Sequence, residues 1–190
     1  MILVLRNWAL GVCVLVLSGC ASVYTPQTLQ PGEMVRSGRF SMLVQDQQKP
    51  DEFLQGRFYW QDLQQGLTLD LSSPVGVTLA RIEVQPKQSV LLVPGETPIT
   101  ATSADELLIN IFSEPVPIQA LRDWFQGRLS TSLQATQIKR DSDQRITSFI
   151  AGQWLVSLSR YDEQGPTFLS LTQKLTQRAV TLKLIVDAQP

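Results

Sequence analysis

Residues 57–84 read RFYWQDLQQGLTLDLSSPVGVTLARIEV, and this stretch sets the fold. Leucines recur at every second position from Leu67 to Leu71, a period typical of a strand with one buried face. The alternation stops at residues 73–76, where Pro fixes φ and Gly permits unusual φ values, and it then resumes. The pattern therefore predicts a β-hairpin. We expect the second strand to bury one set of alternating residues: Thr78, Ala80, Ile82 and Val84.

An apolar side chain stands at the predicted tip of this hairpin. Val75 lies between Pro74 and Gly76, and it has nothing beneath it to pack on, because turn tips lie at the surface. Single exposed apolar residues are common in soluble domains, so the position alone assigns no function to Val75.

Strand-like runs continue on both sides of the hairpin, each bounded by turn residues. Six precede residue 103 and five follow residue 130. So many strands, with helices at only one point, predict a mainly β domain built on a single curved antiparallel sheet. The runs are 40–45, 53–61, 67–72, 78–84, 90–93, 97–100, 133–139, 145–151, 153–160, 167–173 and 179–186.

Two amphipathic helices are predicted after the sixth strand. Ser103 and Glu106 have the spacing of a capping box, and a helical stripe of apolar residues follows from Ala104. A second helix is predicted to begin at Pro117 and to end at Gly127. Each helix has one apolar side, as expected of helices that cover a sheet. The apolar positions are Ala104, Leu107, Leu108, Ile111, Phe112, Ile118, Leu121, Trp124 and Phe125.

The N-terminal residues 1–19 have the features of a secretory signal peptide. Arg6 supplies the positive charge and an apolar core follows, ending in Leu17-Ser18-Gly19-Cys20. This tetrapeptide resembles the bacterial lipobox. The resemblance implies that the signal is removed before Cys20, that Cys20 receives a covalent lipid, and that Ala21 favours sorting to the outer membrane. Residues 20–36 are then expected to be a lipidated N-terminus and tether.

The composition excludes several classes of site. The chain has no histidine, so neither a Ser-His-Asp triad nor a His-ligated metal is possible. Cys13 leaves with the signal, so Cys20 remains without a disulfide partner. A net charge of −1 gives no electrostatic footprint for nucleic acid. A two-carboxylate glycosidase stays formally possible, but no spacing favours it. We expect a monomer with no catalytic residues, no metal and no cofactor beyond the Cys20 lipid.

Three stretches resemble the LolB family of outer-membrane lipoproteins. They are GRFYWQ at 56–61, SPVG at 73–76, and SADELL with PVPIQALRDWFQG within 103–127. In that family a Leu is usual at the position of Val75, and a Gly at the position of Glu114. The resemblance implies that residues 37–190 form an unclosed half-barrel, with two or three short helices as a lid over the concave apolar face.

The resemblance also implies transfer of lipoproteins and no catalysis. A LolB-like protein accepts client lipoproteins from the periplasmic carrier LolA and holds their acyl chains in an apolar cavity. It then releases the chains into the inner leaflet of the outer membrane, to which it is itself anchored by lipid, facing the periplasm. The loop of Pro74, Val75 and Gly76 would enter the membrane. The candidate cavity residues are Phe40, Phe58, Trp60, Leu108 and Trp124.

Two other functions fit the same fold. One is a lipid-anchored structural or assembly protein whose half-barrel has a filled core. The other is a carrier for a different amphiphile. An empty apolar cavity on the concave face favours transport, whereas a packed face favours the structural role.

Overall fold

The computed structural model describes residues 29–112 and 114–188. Its strands are β1 (Met34–Asp46), β2 (Lys49–Leu63), β3 (Gly66–Ser72), β4 (Thr78–Val84), β5 (Ser89–Leu92), β6 (Ile99–Ala101), β7 (Ala135–Arg140), β8 (Ile146–Ala151), β9 (Trp154–Tyr161), β10 (Pro166–Lys174) and β11 (Arg178–Val186). They form one antiparallel sheet in the order β6-β5-β4-β3-β2-β1-β11-β10-β9-β8-β7. Within the described residues β6 and β7 do not pair, so the sheet is an unclosed half-barrel, as predicted.

Three short helices lie between β6 and β7 in the chain: α1 (Ala104–Leu107), α2 (Ile109–Phe112) and α3 (Ile118–Trp124). The single helix predicted over residues 104–112 is therefore interrupted at Leu108. Ser103 caps α1, because its Oγ accepts a hydrogen bond from the Asp105 N–H at 3.2 Å. Pro117 is the N-cap of α3, so this helix begins one position later than predicted. We call residues 104–112 and 114–125 the lid.

The hydrophobic core lies between the lid and the concave face of the sheet. Strand side chains alternate between buried and less buried positions, as in β3, where Leu67 and Leu71 are buried. The lid contributes fully buried side chains from both of its ends, including Leu107, Leu108 and Trp124. Burial of apolar surface from both layers is the main stabilising term of such a fold.

Two glycines bring aromatic rings close to the backbone of the long β1–β2 hairpin. Gly38 pairs with Phe58, and Gly56 pairs with Phe40. A Cβ atom at Gly38 would lie 2.9 Å from the Phe58 ring, and one at Gly56 would lie 2.8 Å from the Phe40 ring. Only glycine fits where another group approaches the backbone so closely. Each glycine thereby leaves room for the ring of its Phe on the concave face.

The central hairpin departs from the predicted alternation at one point. Leu71 pairs with Ala80, but Ser72 pairs with Thr78, so β4 carries one extra residue, Leu79. This β-bulge puts Thr78 on the same face as Ser72, where it is exposed. The prediction that Thr78 shares the buried face of Ala80 is therefore wrong, because a bulge shifts the alternation by one residue.

The domain begins earlier than predicted. Strand β1 starts at Met34, inside residues 20–36, which were predicted to be a lipidated N-terminus and tether. Arg36 is fully buried, and its guanidinium donates to both carboxylate oxygens of Asp162, at 2.6 and 2.9 Å. Residues 34–36 are thus part of the sheet, and Arg36 joins β1 to Asp162, which follows β9.

The signal peptide predicted at residues 1–19 and the lipidation site predicted at Cys20 lie outside the described residues. No helix within the described ranges has both the length and the apolar character required to cross a membrane.

Candidate functional site

A small apolar cavity lies between the sheet and the lid. Its free volume is about 30 Å³. Aromatic rings from both layers meet around it: Phe40 contacts Phe112 edge-on with ring centroids 5.7 Å apart, and Trp60 lies 5.0 Å from Phe125. The lining residues are all hydrophobic: Phe40, Phe58, Trp60, Leu69, Leu71, Leu108, Phe112, Val116, Ile118, Leu121, Phe125, Leu182 and Leu184. Such a lining is suited to hydrocarbon and offers little to a polar ligand.

The structure brings four of the five predicted cavity residues together: Phe40, Phe58, Trp60 and Leu108. Trp124 is elsewhere. It is fully buried and packs edge-on against Phe149 of β8, with ring centroids 5.5 Å apart.

Sequence reasoning missed most of the lining, although it had found the patterns that contain it. The lid residues belong to the predicted helical stripes or to the segment between them, and the strand residues belong to predicted alternating runs. The sequence patterns do not indicate which of their residues come together around the cavity. The lining residues not predicted are Leu69, Leu71, Phe112, Val116, Ile118, Leu121, Phe125, Leu182 and Leu184.

The cavity is nearly closed in this structure. A free volume of about 30 Å³ has room for about two or three water molecules, since about 10–15 Å³ of such space is needed for each. Pockets that take drug-sized ligands measure roughly 300–1,000 Å³. The lid side chains therefore fill almost all of the space between these apolar residues, and this cavity can take a ligand of that size only if the lid moves.

Two ion pairs join the lid to the sheet. Arg122 of α3 donates to both carboxylate oxygens of Asp62 of β2, at 2.8 and 2.5 Å. Arg178 of β11 contacts Glu114 at 2.8 Å. The Asp62 and Glu114 side chains are only 6% and 9% exposed. A carboxylate that is buried to this degree is stable only while its partner stays in place, so both pairs hold the lid closed.

A third carboxylate joins two helices of the lid. Asp105 of α1 accepts a hydrogen bond from the Ile118 N–H at the start of α3, with an N–O distance of 2.8 Å. It supplies the cap that Pro117 lacks. Burial raises the pKa of Asp105 above its ordinary value. The backbone hydrogen bonds from Ile118 and Gln119 oppose that rise, whereas the neighbouring Glu106 adds to it.

The tip loop, residues 73–77, lies at the end of the β3–β4 hairpin and projects into solvent. Val75 is 87% exposed, the highest value among the large apolar residues of the described chain. Gly76 has a φ of +88°, which favours glycine, and no atom lies within 4 Å of a Cβ built there. Predicted loop residues Pro74, Val75 and Gly76 are thus adjacent and uncovered.

The described residues contain no group of three or more His, Cys, Asp or Glu side chains placed to hold a metal ion.

Comparison with known proteins places the chain in a family. The sequence model of a family described as "Outer membrane lipoprotein LolB" matches residues 35–188. Outer-membrane lipoprotein LolB of Bordetella petrii is 36% identical over 184 residues, which cover 96% of this chain and 92% of that protein. The protein of the same name from Bordetella pertussis is 35% identical over 184 residues, with the same coverage of 96% and 92%.

A solved structure of a LolA superfamily protein from Nitrosomonas europaea is similar to this one with a TM-score of 0.45 and 8% sequence identity. The similarity covers 85% of this chain and 90% of that chain. The family match spans nearly the whole described domain, and relatives above 30% identity cover almost all of the sequence. The chain therefore belongs to the LolB family of outer-membrane lipoproteins.

Proposed function

We propose that this protein is a lipoprotein receptor, anchored to the outer membrane through Cys20 and facing the periplasm. It accepts lipoproteins from the carrier LolA and inserts their acyl chains into the inner leaflet of the outer membrane. One observation carries the proposal: the lining of the closed cavity is divided between the lid and the concave face. Displacement of the lid would uncover two facing apolar surfaces, between which a hydrocarbon chain can lie.

Acceptance of a chain requires the lid to give up contacts that an acyl chain can replace. Apolar surface of Leu108, Phe112 and Leu121 that now packs on the sheet would pack on the chain. A methylene held in the opened cavity is about 0.8 kcal/mol more favourable there than in water, so contacts with the chain can offset the opening of the lid and of its ion pairs. No other energy source is needed as long as each acceptor binds the chain more tightly than its donor.

Delivery requires the protein to bring its cavity to the bilayer, because an acyl chain does not cross water at low cost. Val75 supports this step, since it presents an apolar side chain on a constrained turn. Burial of one Val side chain in the interfacial region is worth about 1.5 kcal/mol at most. That is too little to anchor the protein, but it is enough to orient a protein already held by lipid.

A two-stage assay with Val75→Glu tests the proposal. The first stage measures transfer of a lipoprotein from the carrier to the protein, and the second measures transfer from the protein to liposomes. Val75→Glu should fold and accept the client as wild type does, because nothing packs on Val75. Its delivery should fall by about tenfold or more, since the carboxylate opposes insertion. Delivery at the wild-type rate would contradict the proposal.

The small volume of the cavity favours a second candidate, a structural or assembly lipoprotein with a permanently filled core. The two candidates differ in their response to a fluorescent fatty-acid probe. A receptor should bind the probe, and it should bind it faster when Arg122→Ala removes the ion pair with Asp62. Absence of binding by both proteins would favour the structural candidate.

A further inference from the structure

We infer that Val77 is a second membrane-contacting residue of the tip loop, and that it marks the side of the hairpin along which an acyl chain passes from the cavity to the bilayer. The inference rests on the proposed function and extends it to a residue and a direction. The partner that Val77 contacts is the hydrocarbon region of a lipid bilayer.

The first observation is exposure. Val77 is 62% exposed, and only one residue, Gly76, separates it from Val75. No charged residue lies between Asp70 and Arg81 in the sequence. Those two charges pair with each other across the hairpin, at 2.5 and 2.9 Å. The loop thus presents two adjacent apolar side chains, and the nearest charges along the hairpin neutralise each other.

The second observation is the hydrogen bonding of the loop backbone. The Ser73 N–H donates to the Val77 carbonyl oxygen at 2.8 Å, and the Gly76 N–H donates to the Ser73 carbonyl oxygen at 2.9 Å. The Val77 N–H donates to the Ser73 Oγ at 3.1 Å. Pro74 has no N–H to satisfy. Unpaired backbone groups oppose entry into a membrane, so these three bonds lower the desolvation cost at Ser73, Gly76 and Val77.

Both backbone polar groups of Val77 are therefore paired with Ser73. An exposed apolar residue in a surface loop does not need such pairing, because water would supply the hydrogen bonds. Ser73 thus acts as the positioning residue that holds Val77 in place.

The third observation is the side of the sheet to which Val77 belongs. The bulge at Leu79 puts Thr78 on the outer face with Ser72. Val77 directly precedes β4, and its carbonyl accepts a hydrogen bond from Ser73, the residue after Ser72. Continuing the alternation of both chains by one residue puts Val77 on the concave side, the side of Leu71. Leu71 itself lines the cavity. Val77 therefore stands between the cavity and the exposed tip, on the face that a departing chain would follow.

The decisive comparison is between Val77→Glu and Thr78→Glu. Both add one carboxylate to adjacent exposed positions, but on opposite faces of the hairpin. The full-length lipidated proteins are compared with wild type and Val75→Glu in the two-stage transfer assay, and their melting temperatures are measured to verify folding. We expect Val77→Glu to accept clients normally and to deliver them about tenfold more slowly, whereas Thr78→Glu should change delivery by less than about twofold.

A second measurement reports contact with lipid independently of transfer. Val77→Cys and Thr78→Cys carry an environment-sensitive fluorophore, and the proteins are reconstituted into phosphatidylethanolamine–phosphatidylglycerol vesicles. The fluorophore at position 77 should shift to shorter wavelength and be quenched by lipids that carry a nitroxide on the acyl chain. The fluorophore at position 78 should respond less.

The outcomes separate this inference from the proposed function. If Val75→Glu impairs delivery but Val77→Glu does not, the inference about Val77 fails and the proposed function stands. If Thr78→Glu impairs delivery as much as Val77→Glu does, the assignment of a side fails. If neither valine variant impairs delivery, the membrane-contacting role of the whole loop fails, and with it the delivery step of the proposed function.

Discussion

The cavity lining and the tip loop are both apolar, but they differ in what covers them. Phe58 and Leu108 in the lining are 4% and 0% exposed, whereas Val75 in the loop is 87% exposed. The lid covers the first region, and no other part of the described chain covers the second. Lining residues therefore contribute to the stability of the closed fold, while the valines of the loop contribute almost nothing to it. The difference predicts that substitutions in the two regions will have separable effects.

The largest effect is expected from a charge in the lining. Trp60→Glu should lower the free energy of unfolding by about 3–5 kcal/mol, because Trp60 is 1% exposed and the variant loses a large side chain and buries a carboxylate. Tyr59→Glu is the matched control, since Tyr59 is the adjacent residue on the outer face and is 42% exposed. It should cost less than about 1 kcal/mol. Urea denaturation measures both, and equal losses would mean that the covered face is not the source of stability.

A smaller effect is expected from the ion pair between lid and sheet. Arg122→Ala leaves Asp62 buried without its partner and should lower the free energy of unfolding by about 2 kcal/mol. It should also accelerate uptake of a fluorescent fatty-acid probe, because the lid opens more often. Arg57→Ala, which breaks an exposed pair with Asp187, is the control and should change neither quantity measurably. Slower or unchanged uptake in Arg122→Ala would show that the pair does not restrain the lid.

The acid dependence of stability should contain a contribution from the lid. Burial raises the pKa of Asp105 above 3.8, so the folded protein holds this proton more tightly than the unfolded chain does. The contribution of Asp105 to stability is then fully present below pH 3.8, and it is lost as the pH rises through the raised pKa. Asp105→Asn should remove this contribution from the dependence of the free energy of unfolding on pH. The test is to measure the free energy of unfolding of both proteins between pH 3 and 7. The same pH dependence in wild type and in Asp105→Asn would contradict the prediction.

The smallest effect on stability is expected at the tip. Val75→Leu adds one methylene to an uncovered side chain, so the free energy of unfolding should stay within about 0.5 kcal/mol of wild type. Delivery to liposomes should rise by up to about fourfold, since a buried methylene is worth about 0.8 kcal/mol. Leu155→Val, a change at an exposed position of β9, should alter neither stability nor delivery. Slower delivery by Val75→Leu would argue against insertion of the tip.

The sheet could be predicted from the sequence because each strand has one covered face, and a covered face imposes a period of two on its residues. Leu67 to Leu71 show this plainly. The bulge at Leu79 could not be predicted, since one extra residue in β4 is visible only once β4 is paired with β3. The direction of Trp124 was missed for a similar reason. The apolar stripe of α3 is wide enough to contact both the cavity and β8. Only the packing of the helix on the sheet decides which of the two Trp124 contacts.

The prediction for the start of the domain was wrong by three residues, because the prolines, the glycine and the few apolar residues of 21–36 are typical of a tether, whereas β1 begins at Met34. Arg36 is buried against Asp162, which lies 126 residues away in the sequence. No local pattern contains that partner. The volume of the cavity was equally hidden, because it depends on how side chains of the lid interlock with those of the sheet and not on the composition of either.

The edge strands β6 and β7 do not pair with each other in the described chain, so the sheet does not close into a barrel. In a closed barrel, the number of strands and their stagger fix the radius, so the interior widens only if a ladder breaks. An open sheet can flatten while every strand keeps its neighbours. Its concave side then gains volume at the cost of elastic bending and of lid contacts, with no loss of backbone hydrogen bonds. The curvature of the sheet sets the volume of such an interior. After the ligand is released, the sheet returns to its original curvature.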